Sequence, residues 1–294
     1  MIVTLTGASG LIGRSLCADL RAAGHQLRLL GRRAGPPDGW QWDALGEPPP
    51  AAALDGADAV IHLSGEPIAQ RWTAKTWQRI VASRVEGTRR MVEAMAAMAK
   101  RPVVFICASA TGIYGDRRDE ILTESSAPGA GAVARLCQDW EREARRAETP
   151  DTRVVLLRTG LVLTPDGGAL GRMLPAFRLG LGGALGDGRQ WMSWIHLRDM
   201  VRLIGFALEH PDVHGPLNGT APEPVTNREF TRTLAATLRR PAVLPVPRPA
   251  LRLLFGEMAG ILTGSQRAQP DVALRHGFSF EFGTLAPALR EMFE

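Results

Sequence analysis

The sequence predicts an α/β protein, a Rossmann-like doubly wound parallel sheet joined to a smaller C-terminal α/β region. Three observations predict it. Short β-branched runs alternate with longer helical patterns through the first half of the chain. Thr6-Gly7-Ala8-Ser9-Gly10-Leu11-Ile12-Gly13 places three glycines between a strand pattern and a helix pattern. Beyond Gly160 the texture changes to glycine-rich and proline-punctuated segments.

Ile2-Val3-Thr4-Leu5 reads as the first strand, and Leu11 to Ala23 as a helix with Gly24 as its C-cap. Leu27 to Leu30 makes the second strand. A loop containing Pro48-Pro49-Pro50 leads to Ala59-Val60-Ile61-His62-Leu63, a buried third strand, and Thr73 to Ala99 carries a long helical pattern. A strand at Val103 to Cys107, a helix from Gly131 to Ala147 and a strand from Arg153 to Leu157 follow. Gly167-Gly168 and the stretch Gly180 to Gly188 read as loops. Helical patterns return at Asp199 to Glu209, Asn227 to Arg239 and Leu251 to Leu262. This divides the chain into a nucleotide-binding part, 1–163 with 194–214, and a smaller substrate-binding part, 164–193 with 215–294.

Composition narrows the function classes. With 294 residues, 45% hydrophobic and 22% charged, the chain is ordinary globular material. Cys17, Cys107 and Cys137 are too few for a disulfide framework and lack metal-ligand spacing, so no metal is expected. No apolar run reaches the roughly 18–20 residues that span a bilayer, and Met1 opens into a strand pattern rather than a signal peptide. The expectation is a cytoplasmic protein with no membrane partner. The net charge is +5, yet the basic residues, almost all arginine, are scattered, so no nucleic-acid partner is expected either. The composition leaves the oligomeric state open.

Glycines at a strand-to-helix turn let backbone N–H groups approach a pyrophosphate, and the helix N-terminus faces it with partial positive charge. The spacing here is GxxGxxG. An NAD site calls for an acid at the tip of the second strand to hold the ribose 2′-OH. This chain has Gly31-Arg32-Arg33 instead, and an arginine there pairs with a 2′-phosphate. The cofactor expected is NADP(H), unless the two arginines are only solvated loop charges.

With these motifs the chain resembles an extended short-chain dehydrogenase/reductase. More narrowly it resembles the atypical epimerase family protein group, also labelled nucleoside-diphosphate-sugar epimerase-like or SulA-like. The matching stretches are Thr6 to Gly13, His62 to Glu66, Ser83-Arg84, Ser109 to Gly115, Cys137 to Glu141, Arg158 to Leu163, Trp194-Ile195-His196, Asn218 to Pro222, and Gln266. The resemblance implies NADP contacts at Gly7, Ser9, Gly10, Leu11 and Ile12, with Gly31 and Arg32 at the 2′-phosphate. It adds Leu63 and Ser64 on the adenosine–ribose side, Arg84 from the long helix, and Leu161 near the nicotinamide.

Short-chain dehydrogenases use a Tyr-x-x-x-Lys pair in which the lysine lowers the tyrosine pKa. The single tyrosine here is Tyr114, four residues before Arg118. Aligning Glu141 with the acid that usually follows the pair puts Val133 and Cys137 at the two positions. The usual acid–base machinery is absent, a trait the resembled group shares. Ser109 and Tyr114 remain as catalytic candidates, with Thr111 the alternate to Ser109. Each also reads as a structural hydroxyl satisfied locally. Cys137 reads as apolar packing and His196 as ordering a helix start. Glu66, Arg189, Trp191 and Trp194 are substrate candidates, arginine for phosphate and indole faces for stacking. The two tryptophans read equally as filling between domains.

Two functions compete. One is an NADP(H)-dependent oxidoreductase or epimerase-like enzyme acting on an unidentified small molecule, with nucleotide-linked sugars one class. The other is an NADP(H)-responsive regulatory or binding protein that does no redox chemistry.

Overall fold

The computed structural model describes residues 1–33 and 39–294. The chain runs β1 (Ile2–Thr6), α1 (Leu11–Ala22), β2 (Gln26–Gly31), β3 (Gly39–Gln41), α2 (Ala51–Leu54), β4 (Ala59–His62), α3 (Ala74–Ala96) and β5 (Val104–Ala110). It continues through β6 (Ile121–Leu122), α4 (Ala132–Arg145), β7 (Arg153–Thr159), β8 (Leu161–Leu163), α5 (Gly168–Arg178), β9 (Trp191–Met192), β10 (Trp194–His196) and α6 (Leu197–Glu209). The rest is β11 (Gly215–Gly219), β12 (Val225–Thr226), α7 (Asn227–Thr237), α8 (Arg248–Phe255), α9 (Ala259–Thr263), β13 (Arg267–Ala268), α10 (Asp271–Arg275) and α11 (Leu285–Phe293).

Seven strands form one sheet in the order β11-β7-β5-β4-β1-β2-β3, and every pairing is parallel. The order reverses between β1 and β4, which opens a crevice at the carboxyl ends of those two strands. Both faces are covered, so the central strands are buried on both sides and mostly apolar, with Thr4, Thr6 and His62 the buried polar residues of β1 and β4. On one face Leu16 and Leu20 of α1 and Met200, Leu203 and Ile204 of α6 pack on Val3, Leu5, Ile61 and Ile106. On the other, Met91, Val92 and Met95 of α3 and Trp140 of α4 pack on Val60, Phe105 and Leu156. Each of these fully buried aliphatic side chains contributes about 1.5–3 kcal/mol.

A separate core unites Leu170, Leu174 and Phe177 of α5 with Phe230 and Leu234 of α7 and Leu285 and Leu289 of α11. Three readings of the sequence are corrected by the fold. The segment from Gly168 is a helix, despite Gly168, Gly171 and Pro175, because its apolar residues recur at helical spacing and bury together. Residues 215–219, assigned to the smaller part, form the edge strand of the main sheet beside β7, because Leu217 and Asn218 are fully buried there. Helix 251–262 is two helices, α8 and α9, broken at Gly256 with φ +60°.

Among the described residues no helix is long and apolar enough to cross a membrane.

Candidate functional site

The opening glycines fold as their spacing demands. Gly7 has φ +77°, a left-handed conformation that a side chain would strain. Gly10 N–H donates to Gly7 O at 2.9 Å, closing the turn. A Cβ on Gly13 would lie 2.2 Å from that same carbonyl oxygen, so only glycine lets α1 sit this close. No side chain caps α1 and its first turn holds no acid, which leaves its leading N–H groups facing the crevice.

A cleft of about 340 Å³ opens at the switch point. Gly7, Ser9, Gly10, Gly31, Arg32, Leu63, Ser64 and Glu66 line it, so eight residues singled out from the sequence converge. Leu11 and Ile12 begin α1 directly behind. Arg32 is exposed at the tip of β2 and makes no ion pair among the described residues. The Ser64 hydroxyl is buried without a hydrogen-bond partner among the described residues.

The floor is organised by Thr6 and His62. Leu63 and Ser64 N–H both donate to Thr6 Oγ1 at 3.1 Å. With Thr6 Oγ1 accepting from two N–H groups, its own proton is best directed to His62 Nδ1, 2.9 Å away, which assigns the imidazole hydrogen to Nε2, a buried atom with no partner among the described residues. Burial lowers the His62 pKa to about 4, consistent with a ring packed between Trp42 and Phe105.

Arg84 lies beneath the cleft rather than in its wall. Its guanidinium packs under Gly65, donates to Glu66 O at 3.0 Å and lies over Trp140. Ser83 Oγ accepts from Glu66 N–H at 2.9 Å, and Arg79 pairs with the Glu66 carboxylate at 3.3 Å. The loop after β4 is thus held from α3 by three side chains. Leu161 begins β8, outside the cleft.

Ser109 and Tyr114 come together, but in the interior. Ser109 Oγ donates to Glu141 Oε1 at 2.7 Å. Arg158 grips both oxygens of Glu141, at 2.8 and 2.9 Å, and donates to Tyr114 Oη at 3.0 Å. Tyr114 Oη donates to Asn218 Oδ1 at 2.8 Å, and Asn218 N–H donates to Glu124 at 2.9 Å. Burial works against the Arg158 charge, but the Glu141 carboxylate outweighs it and holds the guanidinium protonated. Burial likewise pushes the Tyr114 phenol up, against the opposing pull of Arg158. Tyr114 is 0% exposed and its hydroxyl is fully engaged, so it does not face a ligand, and Arg118 lies in a loop with φ +52°. Thr111 follows β5 and donates to Gln266 at 3.3 Å. Burial pushes the Cys137 thiol up to about 12, which leaves it inert apolar packing.

The substrate candidates separate. Trp194 is fully buried in the second core with its indole N–H on Glu223 O, so it is structural. Arg189 is exposed and its backbone N–H donates to Asp187. Trp191 is half-buried and donates to Asp119 at 2.8 Å. His196 caps α6, Nδ1 accepting from Arg198 N–H at 3.1 Å.

Trp42, Asp43 and Ala44 also wall the cleft, and the sequence offered no periodicity over so short a segment to find them. Glu124 and Asn218 join the buried network through contacts nearly a hundred residues apart, which local spacing cannot show.

A parallel sheet covered on both faces, with a glycine turn, an uncapped helix and an arginine-tipped strand at its switch point, defines a doubly wound α/β protein of the nucleotide-binding class. Residues 3–218 match the NAD dependent epimerase/dehydratase family, and the chain belongs to it. Residues 246–292 match a domain of unknown function, DUF1731. An epimerase family protein of Mycobacterium bovis is 44% identical over 293 residues, covering 98% of this chain and 96% of its own. A human homologue, epimerase family protein SDR39U1, crystallised with NADPH, superposes with a TM-score of 0.92 at 35% identity over 99% of both chains. A nucleoside-diphosphate sugar epimerase from Corynebacterium glutamicum superposes with a TM-score of 0.82 at 34% identity. It covers all of this chain and 58% of that one.

Proposed function

We propose that the cleft holds NADP(H) and that the protein is an atypical oxidoreductase or epimerase-like enzyme in the cytoplasm. The observation that carries the cofactor reading is Arg32, an exposed guanidinium at the tip of β2 on the wall of the glycine-turn cleft, with no acid beside it in sequence. Ser9, Leu11 and Ile12 present backbone N–H groups for the pyrophosphate, Gly7 and Gly10 let the backbone come close to it, Gly31 and Arg32 take the 2′-phosphate, and Leu63 and Ser64 bound the ribose. Leu161, on the side of β8, bounds the nicotinamide end. The close packing that only glycine permits at Gly13 and the unpartnered Ser64 hydroxyl fit such a ligand.

When bound, a nicotinamide supplies hydride transfer; the chain's own residues supply position. Arg84, Ser83 and Arg79 hold the loop at Glu66 that closes the cleft. Ser109 is the candidate to meet a substrate hydroxyl, from which its oxygen accepts, because its own proton is directed to Glu141. Glu66, Arg189 and Trp191 are the substrate candidates that the fold leaves accessible. Three free cysteines, all buried, suit a reducing compartment.

Calorimetric titration with NADPH and NADH tests the base of this reading. Tighter binding of NADPH supports it, and no heat with NADPH removes it.

A second reading, a nucleotide-responsive binding protein without turnover, is favoured by one observation: Tyr114 and Ser109 spend their protons inside the protein. NADPH oxidation followed at 340 nm across carbonyl and sugar-nucleotide substrates separates the two. Turnover supports the enzyme, and binding without turnover the regulator.

A further inference from the structure

Three segments meet away from the dinucleotide cleft. They are the loop after β5, the strand β9, and the run Ser265 to Ala268 that enters β13. Trp191 is their common point. Its backbone N–H donates to Ser265 Oγ at 3.0 Å and its carbonyl accepts from Gln266 N–H at 3.2 Å. Its indole N–H donates to Asp119 at 2.8 Å. The Arg267 guanidinium lies over the indole, 4.1 Å from the ring centroid.

Arg267 lacks what a half-buried cation normally has. Its Nε is buried with no hydrogen-bond partner, and no carboxylate lies within ion-pair distance, among the described residues. Two other arginines of the region have carboxylate partners: the buried Arg158 pairs with Glu141 and the half-buried Arg117 with Glu120. A buried Nε–H without an acceptor is a costly feature that a ligand oxygen would relieve, while the rest of this half-buried guanidinium remains open to bind one. The neighbouring Gln266 receives the Thr111 hydroxyl, and Thr111 directly follows β5, at the carboxyl edge of the sheet where ligands of this fold class lie. The indole fixes the guanidinium plane, so its fork is oriented before any ligand arrives.

We propose that Arg267 and Trp191 form an oxyanion-binding subsite for the second ligand, which therefore carries a carboxylate or a phosphate ester. The fork binds two oxygens of the anion, and the buried Nε–H gains its missing acceptor. The subsite is independent of the dinucleotide cleft and stands even if that cleft holds another nucleotide.

Trp191 is its own reporter. The full chain without nucleotide is titrated with inorganic phosphate and, separately, with malonate, against sodium chloride at equal ionic strength, while tryptophan fluorescence is read. A saturable change is expected with at least one anion. It persists in Arg32→Gln, falls by about tenfold or more in apparent affinity in Arg267→Gln, and vanishes in Trp191→Phe. Phosphate alone acting identifies a phosphate ester, and malonate alone a carboxylate. Arg267→Lys, which keeps charge and stem over the ring, weakens the response without abolishing the fold and serves if Arg267→Gln does not fold. No change beyond chloride overturns the proposal, as does a change that survives in both Arg267 variants. A change lost in Arg32→Gln instead places the anion in the dinucleotide cleft and overturns it equally.

Discussion

Glu141 takes a bidentate grip from Arg158 and, on the same oxygen, a hydrogen bond from Ser109. Both charged side chains are 5% exposed, so the pair ties α4 to β5 and β7 where water cannot replace a lost partner. The residue at the family's usual catalytic strand end is thereby wired into the scaffold.

Removing one member strands the other. Glu141→Ala leaves the Arg158 cation buried and uncompensated, and a loss of about 3–5 kcal/mol is expected. Equilibrium urea unfolding checks it; a change below about 1 kcal/mol would contradict the buried pairing.

Tyr114→Phe tests whether the phenol is structural. The hydroxyl is bonded to Asn218 and Arg158, and its loss leaves the Asn218 acceptor unpaired in the interior, costing about 1–3 kcal/mol. NADPH affinity is expected to stay within about twofold, as no described contact joins Tyr114 to the cleft wall.

Gly13→Ala forces a methyl against the Gly7 carbonyl. Either α1 retreats or the turn opens, so thermal stability falls by about 1–3 kcal/mol and nucleotide affinity falls with it. Melting curves with and without NADPH separate the two effects.

Arg32→Ala removes the charge proposed to meet the 2′-phosphate. NADPH binding is expected to weaken by about 10–100-fold, from the loss of charge-assisted hydrogen bonds worth about 1.5–3 kcal/mol, while NADH binding holds. Equal losses for both nucleotides would place Arg32 elsewhere in the contact.

Acid should weaken the fold through His62. Its folded pKa of about 4 lies below the ordinary value of about 6.5, so between those values the unfolded chain binds more protons. Stability is full above about pH 6.5 and falls as the pH drops toward 4, by an amount on the order of 3 kcal/mol. Burial lowers the His196 pKa as well, which adds in the same direction. Denaturation at several pH values, repeated with His62→Gln, should show a shallower slope in the variant.

The strands and helices with clean periodicity were legible in the sequence: β1, α1, β2, β4 and the long α3 all stand within a few residues of their expected bounds. The places of the glycine turn and of the arginine at the strand tip were legible too, because both follow from local geometry. The helix at Gly168–Arg178 was not, since its glycines and internal Pro175 outweigh its apolar spacing until α7 and α11 bury it. Nor was the strand Gly-Pro-Leu-Asn-Gly at 215–219, whose composition is that of a turn. Its partner β7 lies some sixty residues earlier, and tertiary pairing overrode propensity. Arg267 escaped for a related reason: only the folded chain shows that no acid accompanies it.

That edge strand bears on how the molecule is assembled during synthesis. Until residue 219 has left the ribosome, β7 presents an open border, and Tyr114 and Glu124 wait without Asn218. A fragment ended at residue 214 would carry every glycine of the nucleotide turn yet remain prone to stick to its neighbours along that unguarded margin. The nucleotide half therefore cannot be cut free at the seam the sequence offers.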